Sequence, residues 1–176
     1  MKELRSLEEA NEVSAVRLVL KRQKAKVGDI FRLSPSKGVF IWGRLVKRSR
    51  FFGIDGLFNL VYIYDAIGPG RPSPDFLSPT NLIIGPSVVN NLGWSRGYWE
   101  IMASEPLYPG DLLNEHLFIR YRGTGSPRDY DLVDEGGKIV RLPGLDVTKL
   151  SQSGFGNFNS IDWRLKGILQ DRQLIE

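Results

Sequence analysis

From Val27 onward, apolar residues recur at every second position or in short unbroken runs, a pattern that a pleated strand satisfies and an isolated helix does not. Val27–Leu33 and Gly38–Val46 read as two strands joined by a Ser-Pro-Ser-Lys-Gly turn, which makes them a hairpin. Phe58–Tyr64, dense in aromatic and β-branched residues, supplies a third strand. Asn81–Ile84, Tyr98–Ala103, Leu117–Tyr121, Tyr130–Val133 and Lys138–Leu142 continue the series. The last two flank Asp134-Glu135-Gly136-Gly137, where a glycine pair provides the positive φ of a tight hairpin turn. Between Ala66 and Pro79 glycine and proline are frequent enough to rule out a helix or a central strand, so a long surface loop is expected.

The helical period shows only at the two ends. Ser6-Leu7-Glu8-Glu9 has the form of a capping box, and Ala10, Val13, Val16, Val19 and Leu20 follow near helical spacing, predicting a helix over Leu7–Lys21. Its basic end, Lys21 and Arg22, would suit the negative pole of the helix dipole. At the other end Ser160 can cap a helix running from Ile161 to about Gln173, with Ile161, Leu165, Ile168 and Leu169 on one face. The expected fold class is α+β. It is mainly antiparallel β, a small SH3-like, partly open barrel or curled sheet, with an N-terminal and a C-terminal helix. One domain is expected over residues 1–176, with residues 1–23 forming the N-terminal helix and basic connector and residues 24–176 the β-rich part. A chain of 176 residues is the size of one ordinary domain.

Composition narrows the chemistry. There is no cysteine and a single histidine, His116. Thiolate chemistry and zinc-thiolate sites are therefore absent, and so are sites that need two or three histidines. His116 directly precedes a strand and reads as a surface or strand-edge residue, with no nucleophile-elbow motif to make a triad of it. Asp129 and Asp131 alternate onto one strand face near Asp134 and Glu135, an arrangement open to a hard cation but commoner as a charged strand edge. The glycine-rich runs at Gly68-Pro69-Gly70, Gly123-Thr124-Gly125 and Gly154-Phe155-Gly156 lack the remainder of any phosphate-binding motif. Neither a catalytic residue, a metal ligand nor a cofactor is assigned.

The net charge is +4, and Lys21-Arg22-Gln23-Lys24-Ala25-Lys26 and Lys47-Arg48-Ser49-Arg50 concentrate it. Such runs fit nucleic acid, an acidic partner or plain solvated connectors. The charged amino terminus does not read as a secretory signal and no stretch is long enough to span a membrane, so a cytoplasmic protein is expected. Trp42 and Arg44 share one side of a strand, and Arg120 and Arg122 share another, which keeps a nucleic-acid-binding module in view. Against it stand the modest basic excess and the acids interspersed along the chain. The most informative stretch is Gly93-Trp94-Ser95-Arg96-Gly97-Tyr98-Trp99, because Trp, Tyr and Arg are the residue types that dominate protein interfaces. The candidate partner-binding residues are Trp42, Arg44, Trp94, Arg96, Tyr98 and Trp99; core packing explains the aromatic ones equally well.

Taken together, Lys24-Ala25-Lys26-Val27-Gly28-Asp29-Ile30-Phe31, the Trp42-Gly43-Arg44-Leu45-Val46 strand, Ile83-Ile84-Gly85-Pro86, Gly93 to Tyr98 and Glu105-Pro106-Leu107 resemble the bacterial immunity protein 26 family. Members of that family also carry a phosphotriesterase-like label. The resemblance runs from about Lys24 to the closing helix and implies a non-catalytic, cytoplasmic protein of a polymorphic-toxin locus that binds and neutralises a cognate toxin. A phosphotriesterase-like hydrolase is the alternative the label implies, although metal-assisted attack on a phosphotriester relies on the clustered histidines this chain lacks. Because the chain is basic, an acidic or neutral toxin surface is a more natural target than a basic nuclease.

Overall fold

A computed structural model describes residues 15–122, 129–142, 150–152, 156 and 158–175. Five antiparallel strands form the main sheet: β1 (Asp29–Ser36), β2 (Val39–Ser49), β3 (Phe58–Ile67), β4 (Leu82–Val89) and β5 (Trp99–Ser104). Their spatial order is β4-β3-β2-β1-β5. A helical turn, α1 (Leu92–Ser95), lies between β4 and β5. The second sheet comprises β6 (Phe118–Tyr121), β7 (Tyr130–Val133), β8 (Ile139–Val140) and β9 (Ser151–Gln152), in the order β8-β7-β6-β9 with β6 and β9 parallel. Helix α2 (Phe158–Asp171) follows.

The main sheet is buried on both faces, which explains the near-continuous apolar runs of β2 and β3. In β2, Ile41 and Leu45 point to one side and Trp42 and Val46 to the other. The first side packs against Phe158, Ile161, Leu165 and Leu169 of α2. The second is covered by Phe118 of β6, Val133 of β7 and the loop residues Leu77, Leu107 and Leu113. Close approach at the centre requires glycine: a Cβ on Gly43 would stand 2.5 Å from the ring of Phe31. That ring stacks on Trp99 at 4.9 Å and meets the edge of Trp94 at 5.2 Å.

The expected partly open barrel or curled sheet takes the form of two open sheets, with no closed barrel among the described residues. Two other expectations change. The helix expected over Leu7–Lys21 does not form where it is described; residues 15–21 run without helical structure, and residues 7–14 lie outside the described residues. The amides that a helix would use are taken by acceptors elsewhere: Val16 N donates to Ser34 O at 2.9 Å, and Leu18 N and Val19 N donate to Gly97 O at 2.8 and 3.0 Å. Within Ala66–Pro79, β3 continues to Ile67 and Pro74–Leu77 closes a single 3₁₀ turn, with proline at the helical start where its missing N–H costs nothing.

Candidate functional site

Two segments far apart in sequence meet at the edge of the main sheet. Residues 92–98 fold into α1 and a glycine turn, in which Tyr98 N donates to Gly93 O at 2.9 Å. Residues 15–27 lie across this turn, held by the two bonds to Gly97 O and by Gln23 N donating to Trp94 O at 3.4 Å. The Gln23 side chain accepts from Ile101 N at 3.1 Å and so ties the same segment to β5. Gly97 has φ +80°, and a Cβ there would fall 1.9 Å from Val19 O. The turn glycine is thus what lets the two segments touch.

This docking brings the basic run into the neighbourhood of the aromatic-arginine stretch. Arg17, Lys21, Arg22, Lys24, Lys26 and Arg96 are all exposed. Residues 15–28 and 92–98 contain no acidic residue. Among the described residues, the acid that follows the segment, Asp29, accepts from the backbone N of Lys26 at 2.8 Å, and Glu100, which follows the turn, pairs with Arg32 at 2.7 Å. Arg17 turns its guanidinium onto the carbonyls of Val19 and Leu20. Leu20, 84% exposed, stands among these cations.

Of the residues singled out by sequence, Arg96 is exposed and Tyr98 half-buried, its ring stacked 4.2 Å from Phe158 of α2. Trp94 and Trp99 are buried against Phe31, and Trp42 is buried with its Nε1–H donating to Gly68 O at 3.0 Å. Arg44 is also buried. It pairs with Asp111 at 3.1 Å and donates to the carbonyls of Pro106 at 2.9 Å and Glu105 at 3.4 Å. Beside it, Arg71, which is paired with Glu105, and Tyr108 help line a depression of about 300 Å³. The three buried tryptophans do not share a surface with Arg96, whereas the fourth, Trp163 on α2, is 71% exposed.

His116 is not a free surface residue. Its Nε2 lies 2.6 Å from the hydroxyl of Tyr62, and its Nδ1 lies 2.6 Å from Glu135, which in turn pairs with Lys47 at 2.5 Å. One tautomer satisfies the whole chain: Nδ1–H donates to Glu135 and Nε2 accepts from the Tyr62 hydroxyl. That hydroxyl also accepts from Leu113 N at 2.9 Å. Burial holds the imidazole below its ordinary pKa, opposed by the hydrogen bond and charge of Glu135. The arrangement has the order of a hydrolytic relay, but its hydroxyl belongs to a fully buried tyrosine whose pKa burial raises. It therefore joins elements rather than exposing a nucleophile. Sequence spacing could not reveal it, since its four members come from β2, β3, the approach to β6 and the turn after β7.

Asp129 and Asp131 do share one neighbour, as their alternation suggested. Both pair with Arg122, at 3.2 and 2.5 Å, and this guanidinium holds the Asp131 carboxyl below its usual range. Among the described residues no group of three or more His, Cys, Asp or Glu is placed to hold a metal ion, and no helix is long and apolar enough to cross a membrane.

A family model described as Immunity protein 26 matches residues 26–124, more than half of the chain. The match spans β1 to β6, including the 92–98 turn, and leaves α2 outside. Neither the curated proteins nor the solved structures gave a match.

Proposed function

The chain belongs to the immunity protein 26 family, and from that membership we propose that it is a non-catalytic, cytoplasmic immunity protein that binds a cognate bacterial toxin and neutralises it. The observation carrying this reading is the match itself, which covers the main sheet and the turn against which the basic segment docks. A surface combining exposed cations with a protruding leucine supports a binding role, because association needs both steering charge and apolar area.

The hydrolase reading has less to rest on. Asp129 and Asp131, the carboxylates best spaced for a cation, are held by Arg122, and the relay at His116 ends on a buried hydroxyl. Arg96 and Tyr98 remain as members of the proposed contact surface, with Trp94 and Trp99 packed in the core cluster beneath it, whereas Trp42 packs on the opposite side of the sheet and Arg44 holds Asp111 and the 105–106 carbonyls.

The test is co-expression with a candidate toxin whose gene adjoins that of this chain. Cells carrying the toxin should survive only when the chain is present, and the two proteins should co-purify. Cell death despite abundant folded chain would refute the proposal. So would sustained turnover of a phosphotriester such as paraoxon by the purified protein, since the reading is of a non-catalytic inhibitor.

A further inference from the structure

A cluster of exposed cations lies where residues 17–26 cross the 92–98 turn. Lys21, Arg22, Lys24 and Arg96 are exposed there, and among the described residues none of their side chains forms an ion pair. Several arginines elsewhere are matched: Arg32 with Glu100, Arg44 with Asp111, Arg71 with Glu105, Arg122 with Asp129 and Asp131, and Arg172 with Asp65. Residues 15–28 and 92–98 carry no acidic residue, so among the described residues the cations of these two segments meet no carboxylate of their own segments.

From this juxtaposition we infer that the basic edge formed by Lys21, Arg22, Lys24 and Arg96 is the surface that meets the toxin, and that the toxin presents an acidic face with an apolar recess for Leu20. The inference rests on the immunity reading and specifies its contact. Charge complementarity sets the sign of the partner. The protruding side chain separates a protein from a nucleic acid. Single strands are held by aromatic faces on which bases stack, but the exposed apolar group here is aliphatic Leu20, and the nearby Tyr98 ring is already stacked on Phe158. A leucine amid cations fits an apolar recess rimmed by carboxylates.

The segment is also held in place before binding. Backbone bonds to Gly97 O and Trp94 O fix residues 18–23 on the turn, so less ordering entropy opposes association than for a free basic tail.

The test uses the full chain carrying Lys21→Glu, Arg22→Glu, Lys24→Glu and Arg96→Glu together, with Lys37→Glu and Lys138→Glu as a control reversal at exposed positions elsewhere. Association with the toxin that this chain neutralises in the co-expression test is followed by surface plasmon resonance at low and high salt, and thermal melting verifies that each variant is folded. The expected result is an association rate lowered about 10- to 100-fold at low salt for the fourfold variant, with the difference shrinking at high salt. The control should bind like the unaltered chain. Equal rates for the fourfold variant and the unaltered chain would overturn the inference while leaving the immunity reading intact. Failure of the unaltered chain to bind would sink both. A 20-nucleotide single-stranded DNA or RNA probe bound by the unaltered chain and lost in the fourfold variant would replace the acidic protein with a nucleic acid as the occupant.

Discussion

The hydroxyl of Tyr62 and Nε2 of His116 stand 2.6 Å apart across the boundary between the two sheets. Tyr62 belongs to β3, whereas His116 precedes β6 and leans on Glu135 of the β7–β8 turn. The contact is a polar fastening on the sheet face otherwise closed by Phe118 and Val133.

The fastening makes stability depend on pH in a defined direction. Burial lowers the pKa of His116 in the folded chain, so below about 6.5, the value for an unperturbed imidazole, the unfolded state binds a proton that the folded state resists. Stability should thus be greatest above that value and decline as the pH falls through it toward the lower, folded value. Urea midpoints measured at about pH 7.5 and pH 5.5 should differ for the native chain and converge in His116→Gln. A pH response that the substitution leaves untouched would assign it to other groups.

The ring cluster around Phe31 predicts a second outcome. Gly43→Ala places a methyl 2.5 Å from Phe31 and 2.9 Å from Ile63 Cδ1, both fully buried, and overpacking of this kind costs about 1–3 kcal/mol. Gly70→Ala, with nothing within 4 Å of the added methyl, should leave the urea midpoint nearly unchanged. Comparable losses for the two would mean that the sheet is less tightly packed than the geometry states.

Arg44 allows a third. Its fork holds Asp111 and the carbonyls of Glu105 and Pro106, anchoring the segment that follows β5. Arg44→Ala should destabilise by about 2–4 kcal/mol, less than a fully buried pair because the Asp111 side chain keeps 27% exposure and can turn to water. Limited proteolysis should then cut first near residues 105–111. Cutting elsewhere with unchanged stability would deny Arg44 this role.

The strands were legible because alternation is a local property. Tyr130–Val133 is found where the pattern places it, and β1, β2 and β5 begin within two residues of their expected starts. Val16 and Val19 at helical spacing misled, because the hydrogen bonds that hold their segment come from Ser34 and Gly97, far along the chain. The relay at His116 was hidden for the same reason. Charge runs and the 92–98 stretch were visible separately, but only tertiary folding sets Lys21 and Arg22 beside Arg96. Aromatic identity alone did not separate core from surface: Trp94 and Trp99 flank a surface arginine in sequence and are nonetheless drawn inward by Phe31.

That last distinction can be read from fluorescence. Four tryptophans are present; Trp42, Trp94 and Trp99 are at most 1% exposed, while Trp163 is 71% exposed. Acrylamide should therefore quench one emitting population strongly and the rest weakly, and Trp163→Phe should remove the strongly quenched part. The same substitution should alter stability by no more than about 0.5 kcal/mol, as expected for a surface side chain. Trp99→Ala, which empties a site stacked on Phe31, should cost about 3–5 kcal/mol. Were Trp94 or Trp99 presented to a partner instead of packed in the core, strong quenching would persist in Trp163→Phe and Trp99→Ala would fold almost as stably as the native chain. The outcome decides whether the arginine at position 96 acts on a partner together with its neighbouring tryptophans or is only supported by them.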